Sequence, residues 1–207
     1  MKVLMARRND HTREQLVQLT LKTVTDFLEE HSYHELSLRK IANMIGYVPS
    51  TLVNVFGNYN LLLLHIVAQT LDELASESAV AVEQSSNPQQ ALFNLAYCYH
   101  DFAQKHPHRW QLVFEHNMNG ENLPEWQSNR IDRMTGMLEQ LLIAIAPEHT
   151  ESEVVKASRV LWSGVHGITL LNVDDKFFAS EPIDGKELIN NLVSNYLTNW
   201  SSSKERQ

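Results

Sequence analysis

The sequence predicts an all-α protein of about nine helices, and three observations support that fold class. Apolar residues recur at spacings of three and four, which places them on one face of a helix. The seven glycines and six prolines fall mostly between these periodic segments. No run of alternating apolar and polar residues is long enough to indicate a sheet.

The first helix begins after a capping residue, Thr12 or Asp10, and ends near His31. Its apolar face shows a 4-3-4 spacing, which is typical of a helix that packs on one side. That face consists of Val17, Leu21, Val24 and Leu28.

Two short helices follow the first. Ser37 begins the second helix, residues 38–45, and Gly46 ends it because glycine accepts a positive φ at a helix end. Pro49 suits the first turn of the third helix, where the missing N–H costs nothing. The third helix ends around residues 56–57.

The rest of the chain forms longer helices. A fourth begins near Tyr59 and fades into the polar stretch EQSSNP, residues 83–88, which is the best candidate for a change of unit. The remaining helices are predicted over residues 88–105, 107–117, 124–145, 150–173 and 186–200.

The second and third helices have the spacing of a helix-turn-helix. A small residue at Ala42 allows the helices to cross closely, with Gly46 in the turn four residues later. Ile41, Ile45, Leu52 and Val55 are expected to point inward. Short polar and methyl-bearing side chains then remain outside, where they can reach base edges in a major groove. These outward residues are Val48, Pro49, Ser50, Thr51 and Asn54.

An ordinary helical hairpin with a polar solvent face is the alternative, and for an isolated A-x3-G pattern it is the commoner one. The position of the pair, after one amphipathic helix and before a long one, favours the DNA-binding interpretation. Charge distribution agrees with it. Residues 1–50 carry seven basic and six acidic groups, a net charge of +1. The remainder carries ten basic and nineteen acidic groups, a net charge of −9, so the whole chain has a net charge of −8. Only the N-terminal quarter can approach phosphates without strong repulsion.

The stretch LSLRKIANMIGYVPSTLVNVFGNYNLLL resembles the reading head of the TetR family of bacterial transcriptional regulators. The resemblance implies a helix-turn-helix DNA-binding domain over residues 1–58 and a helical effector-binding and dimerisation domain over residues 59–207. It also implies a homodimer on a palindromic operator, and most members of the family repress. The segment RVLWSGVHGITLL is similar to the Trp-x3-His-Gly segment of one TetR subgroup.

Two positions depart from the family pattern. Val53 stands where the family usually has a phosphate-binding tyrosine, and Tyr59 stands where it usually has a lysine. Weaker or differently oriented binding is therefore expected, and a loss of binding does not follow from these two positions. Lys40 remains as a contact to the DNA backbone, and Arg7, Arg8 and Arg13 could add contacts to phosphate or the minor groove. The predicted DNA-contacting residues are Arg39, Tyr47, Val48, Pro49, Ser50, Thr51, Asn54, Asn58 and Tyr59.

The segment 159–173 is apolar nearly all the way round and contains Gly164 and Gly167. A helix of this kind must be covered on more than one side. The simplest cover is the same helix and the last helix of a second subunit, packed as a four-helix bundle, and the family resemblance favours that dimer. A buried central helix of a monomer is the alternative.

The middle helices carry an aromatic and methionine-rich set of residues. The resemblance implies that this region encloses a cavity for a small apolar or amphipathic effector, and such side chains make adaptable walls. Each of them also fits an ordinary core, and for His166 a satisfied core histidine is the preferred interpretation. The predicted effector-binding residues are Phe102, Trp110, Phe114, Trp126, Met134, Met137, Trp162 and His166.

An enzyme is not expected. The sequence contains no H-E-x-x-H, P-loop, G-x-G-x-x-G or G-x-S-x-G motif, and Cys98 is its only cysteine. No metal or cofactor is predicted. A hydrophobic content of 43% without a signal peptide or a membrane-spanning run fits a cytoplasmic globular protein. Three further hypotheses stay open: an activator, an effector-independent regulator, or a helical ligand-binding or scaffold protein whose DNA contacts have decayed.

Overall fold

The computed structural model describes residues 11–120, 122–173 and 183–201. These ranges contain nine α-helices, one short 3-10 helix and no strand, which confirms the predicted all-α fold. The helices are α1 (Arg13–Leu28), α2 (Leu38–Met44), α3 (Pro49–Phe56), α4 (Tyr59–Glu83), α5 (Pro88–Lys105), α6 (Pro107–Glu115), α7 (Glu125–Ile145), α8 (Glu151–Val173) and α9 (Gly185–Ser201).

The described residues fall into two compact units. The N-terminal unit lies within Met1–Thr70 and His108–Asn122, and the C-terminal unit lies within Leu71–Pro107 and Leu123–Gln207. The division differs from the predicted boundary after residue 58. The first turns of α4 supply fully buried leucines, including Leu62 and Leu64, that a helix-turn-helix of this size needs for its core.

Thr12 fixes the start of α1. Its side chain accepts a hydrogen bond from the Gln15 backbone N–H, and the Gln15 side chain accepts one from the Thr12 N–H in return. This reciprocal pair is a capping box, so Thr12 rather than Asp10 is the capping residue. The helix ends at Leu28, three residues before the predicted end, and a turn leads to the 3-10 helix Tyr33–Glu35.

Helix α6 belongs to the N-terminal unit, although the sequence placed it in the C-terminal domain. Arg109 Nη1 lies 3.1 Å from the Glu29 carboxylate. His116 Nε2 lies 2.9 Å from the Asn60 carbonyl oxygen. Burial and a hydrogen bond to Glu115 raise the pKa of Tyr33 to about 12. These contacts join residues far apart in sequence, which no local pattern reveals.

In the C-terminal unit, α5 packs against α7, α8 and α9, and α8 also packs against α7 and α9. A Cβ added to Gly164 would lie 2.5 Å from Leu192 Cδ2, so a larger residue there would require the Leu192 side chain of α9 to shift. A Cβ added to Gly167 would meet nothing within 4 Å. The inward face of α9 consists of Ile189, Val193, Leu197 and Trp200.

Trp200 ties the end of α9 to the unit. Its indole N–H donates to the Leu142 carbonyl oxygen at 3.3 Å, and the His149 ring stacks on it with centroids 3.6 Å apart.

No single helix in the described ranges is long and apolar enough to cross a membrane, and the bent pair α3–α4 meets that test only when both helices are taken together.

Candidate nucleic-acid interface and effector cavity

The turn between α2 and α3 is fixed by backbone hydrogen bonds. The Tyr47 N–H donates to the Ala42 carbonyl at 2.8 Å, and the Gly46 N–H donates to the Asn43 carbonyl at 3.2 Å. This pair of bonds is a Schellman motif, which requires a left-handed residue at the position that Gly46 occupies with φ of 76°. The predicted role of Gly46 is therefore confirmed.

Helix α3 presents most of one side to solvent. Pro49 occupies its first turn, as predicted, and Leu52 is fully buried with Phe56 below it. Val48 is 52% exposed and Val53 is 41% exposed. Together with Ser50 and Asn54, which are also exposed, they form a row of short side chains along the outer side of the helix. Short polar and methyl-bearing side chains of this kind can reach base edges in a major groove.

Side-chain hydrogen bonds fix α3 and the segments on either side of it. Arg13 Nη2 donates to the Val55 carbonyl oxygen at 3.1 Å, which gives this predicted DNA contact a structural role. His11 Nδ1 lies 2.8 Å from the Tyr47 hydroxyl. Asn58 Oδ1 accepts a hydrogen bond from the Leu61 N–H at 2.8 Å and so caps α4.

The predicted DNA-contacting residues lie in the N-terminal unit, but at different depths. Tyr59 is half-buried, and burial raises the pKa of its hydroxyl. The Lys40 ammonium lies 4.2 Å from the centre of the Phe27 ring and 4.0 Å from Glu35. Arg7 and Arg8 lie outside the described residues. Arg39, Val48, Ser50 and Asn54 are exposed, whereas Tyr47, Pro49, Thr51, Asn58 and Tyr59 are half-buried.

The C-terminal unit contains an apolar cavity of about 30 Å³ between α5, α7, α8 and α9. That volume corresponds to roughly two water molecules, so a larger occupant requires the walls to move. Of the predicted effector residues, Met134 and Trp162 line it. The full lining is Leu92, Leu95, Ala96, Tyr99, Met134, Leu138, Leu161, Trp162, Val165 and Val193.

One polar pair borders this cavity. The Tyr99 hydroxyl lies 2.7 Å from His166 Nδ1, and the Trp162 ring lies 5.1 Å from the Tyr99 ring. Burial lowers the pKa of His166, so its imidazole is held in the neutral form. His166 therefore has a hydrogen-bond partner, as the core interpretation expected, and it also stands next to a lining residue.

The remaining predicted effector residues do not line the cavity. Phe102 is buried against His106, with ring centroids 5.1 Å apart. Trp126 is on the surface, where Arg130 lies over its ring, and Met137 is half-buried. Trp110 and Phe114 lie on α6, which belongs to the N-terminal unit. An aromatic composition did not distinguish cavity walls from ordinary core.

The sequence interpretation missed most of the lining, including Tyr99. The available signal was the spacing of Leu92, Leu95, Ala96 and Tyr99 on one face of α5. That spacing indicates burial but not a gap in the packing. Among the described residues, no group of histidine, cysteine and acidic side chains could hold a metal ion.

Comparison with known proteins gives the family. Residues 92–196 match the model of the family described as "Tetracyclin repressor-like, C-terminal domain". No curated protein matches the sequence. A protein of unknown function from Rhodococcus sp. RHA1 is similar in structure, with a TM-score of 0.75, 17% identity and coverage of 94% of this chain and 98% of that chain.

Two further similar structures are a TetR family transcriptional regulator and a complex with operator DNA. The TetR family transcriptional regulator PfmR from Thermus thermophilus has a TM-score of 0.61 and 17% identity, covering 86% of this chain and 97% of that one. AibR in complex with isovaleryl coenzyme A and operator DNA has a TM-score of 0.60 and 14% identity, covering 89% and 97%. Family and neighbours point to a regulator rather than an enzyme. The chain belongs to the TetR family of transcriptional regulators.

Proposed function

We propose that the protein is a homodimeric repressor that binds a palindromic operator through α3 and releases it when an effector enters the C-terminal unit. One observation carries the DNA-binding part: the exposed row on α3, held by the buried Leu52 and the Gly46 turn. Action on chromosomal DNA would place the protein in the cytoplasm. The complex of AibR with isovaleryl coenzyme A and operator DNA supports both ligand classes.

Each residue of the exposed row has a distinct proposed role. The Asn54 amide can pair with an adenine, and the Ser50 hydroxyl can donate to or accept from a base edge. Val48 and Val53 offer methyl groups to a thymine methyl. Phosphate contacts fall to Arg39, Tyr47, Thr51, Asn58 and Tyr59, while Pro49 sets the start of the helix.

The proposed dimer uses α8 and α9. Val160 is 54% exposed, and Leu170 is exposed further along α8. Gly167 lies between them in sequence with open space at its Cβ position, which leaves room for a helix of a second copy. An apolar and small-residue strip of this kind fits a helix-helix contact and supports a two-fold arrangement of the α3 helices.

Selection from a random DNA pool followed by a mobility-shift titration tests the DNA-binding part. The wild type should select a palindrome and bind it less tightly as salt rises. Asn54→Ala should cost about 1–3 kcal/mol on the best site and relax preference at one position. Arg39→Ala should weaken all sequences alike and reduce the salt slope by about one. Failure to select any sequence at low salt would support a decayed DNA-binding surface instead.

Sedimentation tests the dimer. Val160→Asp places a charge on the proposed contact and should yield monomers at micromolar concentration. Val80→Asp is the matched control, since Val80 is 49% exposed on α4 and lies outside the proposed contact. A Val160→Asp protein that stays dimeric and folded would exclude this face as the dimer contact.

Regulation follows from differential affinity. An effector that binds more tightly to a conformation with poor DNA affinity shifts the population toward that conformation. By linkage, operator DNA must then weaken effector binding by the same factor. Measuring both affinities in the presence and absence of the other ligand checks this reciprocity.

A further inference from the structure

The contact between α5 and α8 is apolar at the cavity and polar beyond it. Three polar pairs follow one another from the cavity onward, and each joins one residue of α5 to one of α8. His100 Nδ1 lies 3.3 Å from Thr169 Oγ1, and both residues are buried. The pairs are Tyr99 with His166, His100 with Thr169, and Gln104 with Asn172.

The other end of the same contact is the cavity, and its lining is apolar. None of the lining residues carries a charge. Only Tyr99 and Trp162 have a polar hydrogen, on the hydroxyl and on the indole. A charged ligand group placed there would lose its hydration without gaining a counter-ion, which is strongly unfavourable.

The polar pair at the edge of the cavity has a defined chemistry. A phenol can donate or accept a hydrogen bond, and a neutral imidazole does both at its two nitrogens. Burial lowers the pKa of both His166 and His100, so neither supplies a positive charge for an anion at neutral pH. A ligand oxygen that is uncharged matches these groups better than a carboxylate or an ammonium does.

We propose that the effector is an uncharged, mainly hydrocarbon molecule whose apolar part fills the cavity and whose hydroxyl or carbonyl oxygen hydrogen bonds to the Tyr99–His166 pair. That this molecule regulates DNA binding rests on the proposed function, but its binding in the cavity does not. Met134 is the flexible wall that yields as the ligand enters, because an unbranched thioether side chain has several accessible rotamers.

Isothermal titration calorimetry of the full chain, without DNA, tests the ligand class. The probes are hexan-1-ol, hexanoate and hexylammonium, which share a chain length and differ in charge. Hexan-1-ol should bind at least about tenfold more tightly than either ion, given the cost of an unpaired buried charge. Equal or tighter binding of an ion, or no binding of hexan-1-ol, would overturn the proposal.

Substitutions then locate the hydrogen bond. Tyr99→Phe should weaken hexan-1-ol binding about fivefold, the effect of one neutral hydrogen bond. Tyr97→Phe is the matched control, because Tyr97 lies on the same helix and its hydroxyl accepts from Asn190 Nδ2 outside the cavity. Unchanged affinity in Tyr99→Phe, with circular dichroism and melting like the wild type, would exclude the polar subsite.

Two readouts separate this inference from the proposed function. Quenching of Trp162 fluorescence by hexan-1-ol, absent in Trp162→Phe, reports occupation of the cavity whether or not DNA is bound. Release of operator DNA reports regulation. Quenching without release would contradict the regulatory proposal and leave the ligand class standing, whereas release without quenching would place the effector elsewhere and overturn the inference.

Discussion

The two units carry their functional residues in opposite ways. In the N-terminal unit, the proposed DNA-contacting residues of the exposed row lie on the outside of α3, and a fully buried Leu52 on the same helix fixes their direction. In the C-terminal unit, the lining of the cavity comes from four helices and faces inward. A surface made by one helix needs a particular backbone and therefore leaves a local pattern. A cavity made by several helices needs only that their side chains leave a gap.

The largest expected effect comes from the same leucine-to-alanine truncation made once in each unit. Leu52→Ala truncates a fully buried side chain and should lower the free energy of unfolding by about 2–5 kcal/mol, with loss of DNA binding. Leu161→Ala should cost less, because one side of Leu161 already faces the cavity and makes fewer contacts. It should also strengthen the binding of bulkier apolar probes. Urea denaturation and calorimetry measure both; a larger loss for Leu161→Ala would contradict the packing argument.

The next effect concerns the turn. Gly46→Ala forces a residue with a Cβ into the left-handed region and should destabilise the protein by about 1–2 kcal/mol. Gly136→Ala in α7 is the control, since that site is helical and its Cβ meets nothing within 4 Å. It should stabilise by up to about 1 kcal/mol. Thermal unfolding of the two variants should therefore shift in opposite directions, and a shared direction would argue against the backbone explanation.

A smaller effect concerns the family position where this chain has Val53. Val53→Tyr offers a hydroxyl to phosphate from a side chain that is already 41% exposed, so the fold should tolerate it. Affinity for DNA should rise and the salt slope should steepen by about one phosphate contact. Fluorescence anisotropy across a salt series measures both quantities. Val80→Tyr serves as the control and should change neither; an unchanged slope in Val53→Tyr would mean that this position does not face the DNA backbone.

The smallest effect is a pH dependence of stability that arises from two histidines of the C-terminal unit. Burial lowers the pKa of His100 and His166 in the folded protein, whereas unfolded histidines titrate near 6.5. As the pH falls below about 6.5, the unfolded chain takes up protons first, so stability present above that value declines. Urea denaturation at pH 7 and pH 5 should show this loss. His166→Gln should reduce the difference, and an undiminished difference would assign the effect to other groups.

Helix positions could be predicted where a single residue type decides the backbone. The predicted range of α5 matches the observed one because Asn87 caps its start and Pro88 occupies its first turn. Ser37, Gly46 and Pro49 set the bounds of α2 and α3 in the same way. Chain-distant contacts could not be predicted. The pairing of Arg109 with Glu29, for example, depends on two segments that only the folded chain brings together.

The two candidate sites also differ in how far the sequence could predict them. The exposed row on α3 follows from the helix period alone, so Ser50 and Asn54 could be chosen from sequence. Trp110 and Trp126 were chosen for their composition, and neither lines the cavity. Tyr99 was missed because a tyrosine on the apolar face of a helix is indistinguishable from core until its neighbours are known.

The Schellman turn at Gly46 also has a consequence for how the protein can diversify. Because the backbone and the buried Leu52 hold α3, the outward positions contribute little to stability. Replacements at Ser50, Val53 and Asn54 are therefore free to change which operator is preferred without endangering the fold. A duplicated gene could acquire a new set of targets through a few surface substitutions while keeping its existing chemical signal.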